Sequence, residues 1–433
     1  MRYTLNSHAS VSRLPAEVLA EVFLYVVKSS IDRDDTYFAP RTFSFLQACK
    51  RWNEVAVGFP QLWRWWIAGA VKAWPLFNSR SKNIPLSLTW RPPYPASARD
   101  ILTDSRILNR IHQLDFSGTV EQLALLLSTF NSSLPPNASS VRLHIFPDDR
   151  KSRERLVRFL SLPSPKLSRL DLGNFLPSPS SPIFTTSNLT SLKLSLSPGS
   201  GNRFTPAELA QVFQLHPNLQ ELDLSRSGIP LSGQSNPPAS FILPRLVHLR
   251  LYGAVATISG FIDLLGMSSP LHNVVIRFVF PLLSSLSALA ATVKKILAAY
   301  CSGQGLNHPR KINHLTVAQN SNEDLLVFDA LSRSAPESNL RLQFHRTGAP
   351  KGDAVVKETF TFFPLNDVRE FSVEGPAICA DRYHGLFQEM KDLCYLQLSK
   401  QDILPVLWAL SPDDQGPSKA VTKTAPVHPR LHR

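Results

Sequence analysis

The chain has 433 residues, 43% of them apolar and 18% charged. That composition excludes a wholly disordered chain, and the length exceeds what one ordinary hydrophobic core accommodates. A net charge of +13 favours acidic or phosphorylated partners and keeps nucleic acid as a rival. The four cysteines (Cys49, Cys301, Cys379, Cys394) have no C-x-x-C spacing, so neither a zinc site nor a disulfide framework is expected, and a cytoplasmic or nuclear setting suits them.

In chain order, MRYTLNSHAS lacks the apolar core of a secretory signal, so the sequons at Asn131, Asn137 and Asn188 carry no expectation of glycosylation. Pro15 suits the first turn of a helix. Val18, Leu19, Val22, Phe23 and Val26 then follow at helical spacing as one apolar stripe. A polar gap containing IDRDD precedes a second predicted helix, Thr42 to Val57. It places Phe45, Leu46, Cys49, Trp52, Val55 and Ala56 inward or towards a partner, and FPQLWRWW comes next with Phe59, Leu62, Trp63 and Trp66. Three short segments in so few residues make a marginal core, which a partner usually completes.

These residues resemble a family. Leu14–Pro15, the Glu17–Val18–Leu19 step, Val22–Phe23, Cys49–Lys50–Arg51–Trp52 and Leu62–Trp63 are similar to the F-box, in the F-box-like form common in fungal proteins. Trp74 to Trp90 with IPLSLTW resembles the segment C-terminal to the F-box in such proteins. The insert around 31–40 is longer than in the tightest F-boxes. The resemblance implies binding to the small adaptor subunit of a cullin–RING (SCF) ubiquitin ligase. Its contacts would come from Leu14, Pro15, Val18, Leu19, Val22, Phe23, Cys49, Trp52, Val55, Leu62 and Trp63.

Beyond residue 100 an L-x-x-L-x-L pattern recurs, at Ile111–Leu114–Phe116, Leu167–Leu170–Leu172, Leu189–Leu192–Leu194, Leu219–Leu222–Leu224 and Leu246–Leu249–Leu251. Weaker copies stand at Ile312–Leu315–Val317, Val368–Phe371–Val373 and Leu393–Leu396–Leu398, with degenerate ones at Val141, Leu271 and Leu340. The period of roughly 22 to 30 residues is that of leucine-rich repeats, and the resemblance to those proteins covers most of the remaining chain. Capping signals at Thr119/Gln122 and Thr205-Pro206-Ala207-Glu208 open helices between strands, and Ser321 before Glu323, Asp324 and LLVFDAL reads as another. Asp148–Leu160 reads as a solvated basic helix. The apolar run Asn273–Val293 is broken by Arg277 and Pro281, and reads as a strand followed by a helix rather than a membrane span.

The expected fold class is α/β: an F-box-like helical module over 12–68, a linker and first strand over 69–104, a strand–helix solenoid over 105–410, and a basic Pro-rich tail over 411–433. Residues alternating with the strand leucines project from one sheet face. That face reads as acidic at Glu221 and Asp223, then basic from His248 through His345. His248, Arg250, Tyr252, Arg277, His314, Arg341 and His345 are the predicted binding residues for an acidic or phosphorylated protein target.

No phosphate-cradling, serine-hydrolase or zinc-protease motif occurs, so no catalysis, metal or cofactor is expected. The function expected is substrate recognition within an SCF-type ligase. A ligase-independent repeat scaffold is the alternative, and a basic nucleic-acid binder a weaker one because aromatics do not interleave the basic clusters.

Overall fold

The computed structural model describes residues 13–32, 43–67, 71–91, 97–130, 134–146, 165–195, 204–224, 241–266, 271–280, 286–302, 312, 314–320, 325–332, 335–346, 359–361, 363–374 and 386–399. The fold is mixed α/β, with a large, mostly parallel sheet and helices, and the chain divides into two compact units, Met1–Asn188 and Leu189–Arg433. The basic helix expected at 148–160, the insert at 31–40 and the tail at 411–433 lie outside the described residues.

The first unit opens with α1 (Ala16–Asp32), whose first turn closes through Leu19 N–H donating to the Pro15 carbonyl at 3.1 Å. The expected single helix over 42–57 is instead two pieces. A 3₁₀ turn spans Ser44–Gln47, and α2 spans Lys50–Gly58, with Cys49 extended between them at φ −161°. Aromatic packing turns the chain here: the Phe45 ring stacks on Phe23 at 4.3 Å, and Phe43 stacks on Trp63 at 5.3 Å. A second 3₁₀ turn, Pro60–Trp63, leads to β1 (Trp65–Ile67).

Then come α3 (Trp74–Ser81), β2 (Leu86–Trp90), α4 (Ser97–Leu102), α5 (Ser105–Leu108), β3 (Ile111–Gly118), α6 (Val120–Thr129), β4 (Ser140–Ile145), β5 (Arg169–Gly173) and α7 (Pro182–Thr185). Strands β1 to β5 lie side by side in chain order, all parallel. The predicted capping box opens α6: Thr119 N–H donates to Gln122 Oε1 at 2.9 Å and Gln122 N–H to Thr119 Oγ1 at 3.4 Å. A Cβ at Gly118 would meet Gln122 Oε1 at 2.5 Å and the Phe116 ring at 3.0 Å, so a larger residue there would push the capping Gln122 side chain aside.

The second unit contains β6 (Ser191–Ser195), α8 (Pro206–Leu215), β7 (Glu221–Leu224), β8 (Phe241–Ile242), β9 (His248–Ala254), α9 (Val255–Leu264), β10 (Leu265–Gly266), β11 (Asn273–Phe280), α10 (Leu286–Ser302), β12 (His314–Asn320), β13 (Leu325–Ser332), β14 (Ala335–Arg346), β15 (Glu370–Glu374) and β16 (Tyr395–Ser399). Its main strands run β6-β7-β9-β11-β14-β13-β12-β15-β16, and β8 pairs with β10 separately. Register explains the leucine pattern: Leu192, Leu222, Leu249, Val274 and Leu340 are consecutive cross-strand partners, and all are buried. The predicted strand and helix over 273–300 form as β11 and α10, and among the described residues no helix is long and apolar enough to cross a membrane.

Among the described residues, the strand–helix alternation fails between β12 and β14. Leu325–Ser332, expected to be helical, is strand β13, antiparallel to both β12 and β14. Burial there has period two, with Phe328 and Ala330 at 0% exposure and Val327, Asp329 and Leu331 half-buried. Two flanking strands supply its backbone partners, which outweighs a helix-start signal lying outside the described residues. The chain therefore passes from β11 through α10 to β12, leaving a two-strand gap that β13 and β14 fill on the way back.

Candidate functional site

Two surfaces stand out, one in each unit. In the first unit, α1 is apolar on two sides. Leu19, Phe23 and Val27 are buried, with Phe23 against Phe45 and its ring 5.3 Å from Trp52. On the other side Val18, Val22, Tyr25 and Val26 are 43%, 45%, 73% and 39% exposed. Their spacing of i, i+4, i+7 and i+8 makes one stripe. The single stripe expected from sequence is thus two, with Val27 rather than Val26 turned inward.

The sequence-predicted docking residues sort accordingly. Leu19, Phe23, Leu62 and Trp63 build the block's own core, and Trp63 is fixed by its Nε1–H donating to the Ala56 carbonyl at 2.8 Å and by Arg80 stacked 4.6 Å over its ring. Pro15, Val18 and Val22 are exposed, while Leu14, Cys49, Trp52 and Val55 are half-buried. Arg51 donates from Nη2 to the Leu14 carbonyl and so ties α2 to the entry of α1. Tyr25 is the exposed residue that sequence reasoning missed; its position one turn beyond Val22 was the available signal.

The sheet face of the second unit is built by alternation. On β9, β11 and β14 the residues Leu249, Leu251, Val274, Ile276, Leu340 and Leu342 point to the core, which turns Arg250, Tyr252, Val275, Arg277, Arg341 and Gln343 outward. Register then forms two rows. One runs Lys193, Asp223, Arg250, Val275, Arg341, Asp329; the other runs Tyr252, Arg277, Gln343.

The charges in these rows are unequally satisfied. Asp223, with 5% side-chain exposure, lies 3.9 Å from Lys193 and 3.8 Å from Arg250 Nη1. Asp329 accepts a bidentate pair from Arg341, Nε at 2.5 Å and Nη2 at 2.7 Å, and this hydrogen-bonded partner raises the Arg341 pKa above its ordinary value. Arg277 donates from Nε to Gln343 Oε1 at 2.7 Å and lies 6.0 Å from the Tyr252 ring centre. Its two Nη groups make no further hydrogen bond or ion pair among the described residues, and neither does Arg341 Nη1.

Of the predicted target residues, the structure brings Arg250, Tyr252, Arg277 and Arg341 together. His248 stands one row away beside Asn273. His314 is separated from β14 by β13 and pairs with Leu331 and Glu370, and His345 pairs with Val279 and Leu325. The expected run of basic residues is therefore interrupted: strand β13 brings Asp329 into the row, a residue whose signal was its alternation with Phe328 and Ala330.

The first unit carries a different charged row. Asp115, Arg142 and Asp171 are consecutive partners on β3, β4 and β5. Asp115 lies 3.6 Å from Arg91 and 3.4 Å from Arg142, whose Nε reaches Asp171 at 3.0 Å. Gly173 admits the His144 ring beside Asp171, since a Cβ there would meet it at 2.9 Å. Among the described residues, no group of three His, Cys, Asp or Glu side chains is placed to hold a metal ion.

Neither a search of protein-family models nor one of curated proteins returned a match to this chain.

Proposed function

We propose that this chain is the substrate-recognition subunit of an SCF-type cullin–RING ubiquitin ligase, with an F-box-like block at its N-terminus and a leucine-rich-repeat-like strand array behind it. The observation that carries this reading is the outer stripe of α1. A 17-residue helix locked into its block through Leu19, Phe23 and Val27 still offers Val18, Val22, Tyr25 and Val26 to solvent. Apolar side chains left outside a small helical block in this way are what an adaptor groove takes up, with Tyr25 as a natural anchor. The resemblance of Leu14–Pro15, Cys49–Trp52 and Leu62–Trp63 to the F-box names the adaptor. In this reading the sheet face around Arg277 holds an acidic or phosphorylated protein target, and ubiquitin transfer belongs to other subunits, this chain supplying proximity.

The test is a pull-down of the purified ligase adaptor by the full-length protein beside Val18→Glu/Val22→Glu. Both residues are exposed, so the variant keeps its melting temperature, and its adaptor binding is lost. A folded wild type that captures no adaptor sinks the ligase reading and leaves a protein-interaction scaffold.

A further inference from the structure

The first unit's sheet begins at β1, which has β2 on one side and, among the described residues, no strand on the other. Ser87 N–H donates to the Arg64 carbonyl at 2.8 Å, and Trp65 pairs with Ser87 and Ile67 with Thr89. In a parallel ladder that register turns the backbone groups of Trp66 towards β2 and those of Trp65 and Ile67 the other way. Two N–H and two C=O groups thus line the outer edge, and none of them is hydrogen-bonded among the described residues.

This edge is held from behind. Trp66 is turned inward at 1% exposure, its ring 4.3 Å from that of Trp74 on α3. Side chains alternate across a strand, so the half-buried Trp65 and Ile67 share the opposite face.

Arg64 stands one residue before β1, at the mouth of the edge. Its guanidinium lies 5.3 Å from the Trp65 ring centre and makes no hydrogen bond or ion pair among the described residues. The side chain is half-buried with Nε shielded from water, and burial lowers its pKa below the ordinary arginine value. A cation that only guarded an edge strand against pairing would extend into water, where hydration satisfies it. A half-buried one without a carboxylate is a charge whose partner comes from outside.

We infer that the β1 edge receives an extended segment of a partner protein, which pairs with Trp65 and Ile67 through its backbone and sets a carboxylate side chain on Arg64. The inference goes beyond the ligase reading, since it uses neither the outer stripe of α1 nor the sheet face of the second unit. Backbone pairing supplies affinity with little sequence preference, and the charged hydrogen bond to Arg64 selects an acidic segment. A second copy of this chain is a poorer occupant. Two β1 edges would pair backbone to backbone, but residues 65–70 read WWIAGA and bring no carboxylate, so both Arg64 side chains would stay unmatched.

The test is fluorescence anisotropy of nine-residue peptide pools on the full-length protein. Each pool mixes valine and threonine at the flanking positions around a central glutamate, glutamine or lysine. The wild type binds the glutamate pool at least about tenfold more tightly than the glutamine pool, the worth of one charged hydrogen bond, and the lysine pool most weakly. Arg64→Gln keeps its melting temperature and brings the glutamate and glutamine pools to within about twofold of each other. Ile67→Pro removes an outer-edge N–H without touching the ladder to β2, and weakens the glutamate pool by about tenfold or more. The tightest glutamate peptide is then resynthesised with N-methyl groups on one or the other set of alternate residues. One set abolishes binding and the other leaves it within about threefold, because an added strand offers only every second N–H to its neighbour.

No wild-type binding of the glutamate pool, or equal affinity for the glutamate and glutamine pools, overturns the proposal. So does a preference unmoved by Arg64→Gln, or equal effects of the two N-methyl sets. A wild-type dimer in sedimentation velocity that Ile67→Pro dissociates gives the edge to a second copy and overturns it as well. Adaptor capture is read on the same samples. Peptide preference without capture keeps this site and sinks the ligase reading, and capture without preference does the reverse.

Discussion

The two charged rows of this protein are made by the same device and arrive at opposite states. In the first unit, Asp115, Arg142 and Asp171 alternate in sign on adjacent strands, and Arg91 closes the outer end, so cations and carboxylates are matched. In the second, Val275 falls where a further carboxylate would have closed the row, and among the described residues Arg277 and Arg341 beside it keep unpaired Nη donors. Alternation decides only that a residue faces outward. Register decides whether its neighbour neutralises it, and that separates a matched row from one with charge left over.

The largest effects test the buried strand positions behind each row, each within its own unit. Leu143→Ala in the first unit and Leu249→Ala in the second each remove a side chain with 1% or less exposure. Each should cost about 2–5 kcal/mol in denaturant unfolding. A cost below about 1 kcal/mol in either would show that the row in that unit does not rest on a packed base.

Next in size is the contrast between the rows. Arg142→Leu strips both Asp115 and Asp171 of their shared cation, and those side chains are only 18% and 14% exposed. A loss of about 1–2 kcal/mol is expected, discounted because Arg142 itself reaches solvent. Arg250→Leu should stay within about 0.5 kcal/mol, since a loosely held surface cation is worth little. Equal costs for the two would erase the distinction between the two rows.

A smaller effect, read against pH, sets the two units apart in a different way. Burial pushes the His216 pKa from 6.5 down to about 4, and the side chain is fully buried at the end of α8. The unfolded chain then binds the proton that the folded one refuses, so stability is full above about pH 6.5 and falls as the pH drops towards 4. The melting temperature of the second unit should decline through that window, and His216→Leu should flatten the decline. An unchanged slope in the variant would show that His216 does not set the acid sensitivity.

Much of this architecture could be read in advance. Leucines at L-x-x-L-x-L spacing mark buried strand positions because side chains alternate across a strand, and Leu222, Leu249 and Leu340 all sit where that rule puts them. Thr119/Gln122 and Thr205/Glu208 marked helix starts because their side chains satisfy backbone N–H groups from within four residues, a purely local interaction. The outward direction of Arg250, Arg277 and Arg341 comes from the same alternation.

The features that could not be read in advance are non-local. The stripe on α1 spans more than one face, and its phase was set by Phe45 and Trp52, which put Phe23 and Val27 inward and leave Val22 and Val26 out. LLVFDAL became β13 because two neighbouring strands were available to pair with it. That choice reversed the order of three strands, seated Arg341 beside β11 rather than beyond β12, and set Asp329 against it. Hydrogen bonding along a strand is indifferent to which strand lies next. Residue order along the chain therefore settles which side chains face outward, while the choice of neighbour, and with it the free charge of the site, waits on the packing of the whole sheet.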